Sequence, residues 1–200
     1  VTGVQTCALP ILGNHEPEFF DVAETVTRLR AAGVTVIAGN LRNPATGQPY
    51  APASTRLKLG TREAVVVGLI TDRLSTFRAA VRPMLDLADP VVWGKQNLPA
   101  LLKDEALPIV VTHIGLKADR ELLPLVPDGT LFAGAHDHLR FVHRAGRTAY
   151  FHSGSWTEFV SIARLRGGRW EVEQIRLSPD RKSTRLNSSH VSESRMPSSA

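Results

Sequence analysis

Cysteine is all but missing: Cys7 is the single one, so no disulfide framework can staple the chain internally. Aromatic residues make up only 6%, and no basic stripe interleaves with them, which excludes a stacking surface for nucleic acid. No run of 18 uninterrupted apolar residues exists, so no spanning helix is read. The formal charge of +5 is unevenly spread. Residues 181–200 carry Arg181, Lys182, Arg185 and Arg195 against Glu193, so the tail alone holds +3 and the rest only +2. A nucleic-acid surface needs its basic residues clustered on one folded face, and that is lacking. What is present is ordinary globular composition, 42% apolar and 22% charged over 200 residues. A chain of that length can bury a core unaided.

The last twenty residues hold seven serines and no apolar period, and cannot offset their ordering entropy. "KSTRLNSSHVSESRMPSSA" resembles translated sequencing-adapter read-through, and the opening "VTGVQTCALPI" is similar in kind. The expected organisation is a disordered or non-native extension over 1–11, a partial domain over 12–179, and a disordered, non-native tail over 180–200. Cys7 then carries no information about redox compartment.

The interior is well patterned. Asp21 is a helix N-cap with Glu24 three residues on, a capping-box spacing. Val22, Val26 and Leu29 share one helical face, and Gly33 closes the helix. Val34–Ala38 is short and β-branched and predicts a buried strand. Arg56–Leu59 and Glu63–Thr71 flank Gly60-Thr61-Arg62 as a hairpin. Asp89-Pro90 starts a helix towards Lys103, which Gly94 and Pro99 should kink or interrupt. Strands follow at Pro108–Thr112, Thr130–Ala133, Thr148–Ser153, Val160–Arg166 and Arg169–Leu177, with a helix over Lys117–Leu125. Alternating helices and strands, then antiparallel strands, predict a mixed α/β domain.

Five of the seven histidines fall between His113 and His152. Three segments stand out: Gly13-Asn14-His15-Glu16, Val111-Thr112-His113-Ile114-Gly115 and Gly134-Ala135-His136-Asp137-His138. Each lies at a turn beside a predicted strand, where ligand sites of α/β sheets gather. Imidazole suits borderline divalent metals, and an asparagine carbonyl adds a neutral oxygen donor. A single such histidine is most often a surface or core residue; three histidine-bearing turns together point to a metal or catalytic site. His143 and His152 lack that context and are read as structural.

In order and spacing, "GNHE", "THIG" and "GAHDH" resemble motifs of the calcineurin-like metallophosphoesterases, and within them the 5′-nucleotidase branch. "GNHEPEFFDVAETVTRLRAAGVTVIAGN" and "PIVVTHIGLKADRELLPLVPDGTLFAGAHDH" carry the likeness, which extends from about Leu12 to Leu177. It implies a four-layer α/β/β/α sandwich, incomplete at the N-terminus, that hydrolyses phosphate esters with two divalent ions such as Zn, Mn or Fe. It implies that Asn14, His113 and His136 hold one metal and that His138 reaches the other. His15 would contact the phosphoryl group, oriented by Glu18, where the family has aspartate. Ala135 stands where the family has glycine.

The family's Asp-x-His and Gly-Asp-x-x-Asp motifs and its C-terminal substrate domain lie outside this sequence. The fragment alone is therefore expected to be inactive and to hold at most one metal weakly. The implied partner is a small phosphate ester, a nucleotide by choice, with neither nucleic acid nor a membrane span. The implied location is the periplasm or cell exterior. Two other readings stand beside this one: a thiosulfohydrolase-type sulfur-ester hydrolase on the same scaffold, and a metal-binding module without turnover.

Overall fold

The computed structural model describes residues 11–18 and 20–177, without the side chain of Glu18. The expectations for 1–10 and 178–200 therefore lie outside the described residues. In chain order the elements are α1 (Val22–Ala31), β1 (Leu41–Arg42), β2 (Ser54–Leu59), β3 (Arg62–Ile70), β4 (Asp86–Leu87), α2 (Pro90–Leu101) and β5 (Leu107–His113). Then come α3 (Leu116–Leu122), β6 (Leu131–Gly134), β7 (Arg140–Ala145), β8 (Thr148–Ser153), β9 (Phe159–Arg166) and β10 (Arg169–Arg176). As expected, the fold is mixed α/β.

Six strands form one mixed sheet in the order β2-β3-β5-β6-β8-β7. Its four inner strands are parallel, and an antiparallel strand closes each edge. Parallel strands need both faces covered, and their side chains alternate accordingly. Val65, Val67, Leu69, Val110, Phe132 and Tyr150 face α2 and α3, where Leu98, Leu102 and Leu122 complete the core. Ala64, Val66, Ile109, Leu131, Ala149 and Phe151 face the other way, onto Trp170 and the rest of the β9–β10 hairpin. Each fully buried Val, Leu or Phe here contributes about 1.5–3 kcal/mol. The layers thus run helices, six-stranded sheet, two-stranded sheet.

Several local expectations hold. Asp21 caps α1 by accepting from the Glu24 amide at 2.7 Å, and Gly33 leaves the helix with φ +79°. Glu24 does not complete a capping box: its carboxylate pairs with Arg28 one turn on. The β2–β3 hairpin forms, with Leu59 paired to Arg62 across a two-residue turn.

Two expectations fail. Among the described residues Val34–Ala38 forms no strand; Ile37 makes one parallel bridge to Ile11, and the Ala38 and Gly39 amides go to the carbonyls of Pro52 and Gly68. α2 runs unbroken through Gly94 and Pro99. Pro99 is exposed, as is Lys95, whose carbonyl receives no amide donor from Pro99. Gly94 is a packing device, because a Cβ there would collide with Leu122 of α3.

The arrangement fixes where a site can form. Register pairs Ile70 with His113, Val111 with Ala133, and Gly134 with His152, so β3, β5, β6 and β8 all end at one edge. The loops beginning at Thr71, Ile114, Ala135 and Gly154 leave that edge together.

Candidate metal centre

His113 is the last residue of β5, and Asn14 precedes α1 by a full loop, yet the two meet. The His113 Nε2 lies 2.9 Å from Asn14 Oδ1, across 99 positions of sequence. Asn14 is buried and its amide also donates to the Thr76 carbonyl at 2.9 Å, which ties it to the loop after β3. Gly13 permits the approach: a Cβ there would stand 3.1 Å from the His113 ring. The ring of His136 sits edge-on to His113 with centroids 5.0 Å apart. His15, His113, His136 and His138 together line one crevice of about 430 Å³, closed on the far side by Gly154, Ser155 and Trp156. Trp156 is 81% exposed and stands edge-on to His138 at 5.8 Å. All five sequence-derived positions from the three motifs therefore meet at one place. Glu18 cannot be placed, since its side chain is outside the described residues.

The loop carrying His136 and His138 is bent tightly. Both residues have positive φ, +95° and +57°, which non-glycine residues adopt only when their surroundings impose it. Asp137 supplies that constraint. Its carboxylate accepts from the Leu116 amide at 2.6 Å, at the start of α3, while the Gly115 amide bonds the Ala135 carbonyl. Gly115 has φ +87°, and a Cβ on it would press on Asp137. Asp137 thus staples the His136 loop to the His113 loop. Sequence reasoning passed over it, although its place between two histidines was the available signal.

Electrostatics favour neutral rings. Burial, reinforced by the neighbouring His136, His15 and His138, pushes His113 down to about 4. Burial also lowers His136, with Asp137 opposing and Arg73 reinforcing. At neutral pH both imidazoles are therefore neutral, the form a metal binds; His113 meanwhile donates its Nε2–H to Asn14 Oδ1, a proton that a cation seated there would replace.

Among the described residues no group of three or more His, Cys, Asp or Glu side chains is arranged to hold a metal ion. The Asn14–His113 pair nevertheless fits a cation. Two ligands at right angles on an ion with bonds of about 2.1 Å stand roughly 3 Å apart. The donor set also suits a borderline ion. His143 is exposed on β7, whereas His152 is buried in a polar cluster beneath the crevice.

No family model and no curated protein matches this chain. Solved structures do. A proposed 5′-nucleotidase from Staphylococcus aureus aligns with TM-score 0.65 and 17% identity, over 86% of this chain and 38% of its own. The 5′-nucleotidase precursor of Thermus thermophilus gives 0.65 and 17%, over 86% and 39%. The sulfate thiohydrolase SoxB, also from Thermus thermophilus, gives 0.64 and 17%, over 84% and 32%. The chain spans less than two fifths of each of these proteins. It has, over that part of their length, the fold that the nucleotidases and SoxB share.

Proposed function

We propose that residues 12–179 are part of a metal-dependent phosphoesterase of the calcineurin-like class, nearest the 5′-nucleotidases, that hydrolyses phosphate monoesters such as nucleotides at the periplasm or cell exterior. The observation that carries this reading is the 2.9 Å approach of His113 Nε2 to Asn14 Oδ1, with His136 alongside. Three motifs far apart in sequence meet there with neutral donors.

Two divalent cations, when bound, supply Lewis-acid polarisation of the phosphoryl group and a water acidified enough to attack at neutral pH. Asn14, His113 and His136 are the ligands offered to one ion, and His138 is offered to the other. His15 remains off the metals and donates a hydrogen bond where negative charge builds on the phosphoryl oxygens. Glu18 is assigned to accept the second ring N–H of His15 and so hold its orientation. Asp137 keeps the two histidine loops in register. Trp156 lines the crevice beside His138.

A second reading has its own support in the SoxB likeness: a sulfur-ester hydrolase on the same scaffold. Substrate decides between them. The test uses the chain extended upstream by the Asp-x-His and Gly-Asp-x-x-Asp motifs, assayed on p-nitrophenyl phosphate, AMP and a thiosulfate ester with metal quantified alongside. Phosphate ester turnover is expected. His15→Ala should lower kcat by about 10²–10³ while sparing metal, and His113→Ala should strip metal and activity together. Thiosulfate ester turnover without phosphate ester turnover would replace the first reading by the second.

A further inference from the structure

Directly beneath the crevice lies a polar cluster that the proposed chemistry does not use. Asp119 of α3 is 0% exposed and His152 of β8 is 1% exposed. One carboxylate oxygen of Asp119 accepts from the Thr112 hydroxyl at 2.5 Å; the other accepts from the Tyr150 hydroxyl at 3.0 Å and lies 2.9 Å from His152 Nε2. Burial, and then the Asp119 charge, raise the Tyr150 hydroxyl well above its ordinary value, so it stays a donor.

The proton placement follows. His152 Nδ1 is buried with no partner among the described residues. A proton there would be a buried, unsatisfied donor, so the ring is neutral and carries its hydrogen on Nε2. The carboxylate then meets three donors, from Thr112, Tyr150 and His152, which satisfies a charge that would otherwise be costly to bury.

The three partners sit on particular strands. Thr112 immediately precedes His113. Tyr150 and His152 stand on β8, which runs on into the Gly154–Trp156 wall. Between them ends β6: Gly134, two residues before His136, lies so close that a Cβ would collide with both Asp119 and His152. One buried carboxylate therefore ties the ends of β5 and β8 to α3, with β6 pressed against it.

We propose that Asp119 is a positioning residue for the histidine pair, fixing the strand ends from which His113 and His136 project. The metal-binding consequence rests on the function proposed above; the positioning itself does not. Asn in place of Asp119 keeps one acceptor oxygen and turns its NH2 either towards Thr112 or towards Tyr150 and His152. The orientation of lower cost points the NH2 at Thr112, whose hydroxyl can accept, and keeps the oxygen on Tyr150 and His152; the knot then loses its charge-assisted bonds and loosens beneath both loops.

The experiment uses the full chain labelled with ¹⁵N-histidine, with imidazole nitrogens observed by NMR. Wild type should show His152 as the Nε2–H tautomer. Asp119→Asn should shift the His152 Nε2–H signal and move the His113 and His136 ring signals. Tyr150→Phe, which removes one donor and keeps the fold, should shift the same two rings to a smaller extent. Leu98→Ala, a cavity in the same core that removes none of the cluster's hydrogen bonds, should lower stability and leave those rings unmoved. Zn affinity should fall roughly tenfold in Asp119→Asn and stay level in Leu98→Ala. A wild-type chain that takes up no Zn would sink the metal reading, and the ring signals would still decide this one. Rings unmoved in Tyr150→Phe, or moved equally by Leu98→Ala, would overturn it.

Discussion

On the His113–His136 side of the crevice, two strand ends, a third pressed against them, and a helix close on a single buried carboxylate, and Asp137 staples the two loops above it. The Asn14 side is tied differently: by Leu12 in the core, the Ile11–Ile37 bridge, and one amide bond from Asn14 to the Thr76 carbonyl. The first side is preorganised by elements that the parallel sheet holds in register. The second depends on a loop reaching across to it. A cation seated between them would draw its rigidity from β5 and β6, and its binding free energy would be sensitive to whether Asn14 stays in place.

The sharpest way to break the stronger side is Gly134→Ala. The added methyl has no room between Asp119 and His152, and both are held by strand and helix backbone. Overpacking of this kind, on top of a disrupted polar cluster, is expected to cost about 3 kcal/mol. Urea unfolding should show the midpoint collapsing, and an unchanged midpoint would mean the cluster yields easily.

The weaker side is tested by Asn14→Ala. That removes the bond to Thr76 and the contact with His113, and should cost about 1–2 kcal/mol in the same unfolding assay. The effect should be smaller than that of Gly134→Ala. If the order reverses, the two sides have been ranked wrongly.

Acid tests the buried ring itself. His113 titrates near 4 when folded, below its ordinary value near 6.5, because burial disfavours the charged ring. The unfolded chain then binds the proton more readily. The contribution is therefore complete above pH 6.5 and is lost as pH falls from there towards 4. His113→Gln should flatten that stretch of the stability profile. A profile of the same slope in the variant would assign the acid sensitivity to other groups.

Much of this fold was legible because its signals are local. The Asp21 cap and Gly33 bracket α1, and the apolar run from Ala64 to Ile70 reads as a central strand because both its faces are buried. The misreadings arose where tertiary context overrides local preference. Val34–Ala38 has strand-like residues but, among the described residues, only one ladder partner, Ile11. Pro99 and Gly94 look like helix breakers, yet one faces water and the other makes room for Leu122. β7 was missed because an exposed edge strand rich in Arg and His lacks the apolar alternation that marks a strand.

The site divides the same way. Asn14, His15, His113, His136 and His138 could be picked out because their residue types and turn positions are unusual together. Asp119 could not, since a lone carboxylate on a helix says nothing until its three-dimensional partners are known, and Asp137 offered only its place between two histidines. Both act through hydrogen bonds to residues that are distant in sequence.

Calorimetric titration of the full chain with Zn, run beside His113→Ala, tests the central claim most directly. Asn14, His113 and His136 would be neutral ligands that leave the divalent charge uncompensated, so a single weak site is expected. His113→Ala should abolish it, and ¹⁵N-imidazole spectra should show the His113 and His136 rings responding to Zn in wild type. Two tight stoichiometric sites, or a His113→Ala chain that binds Zn as wild type does, would contradict the assignment of this crevice as the metal centre.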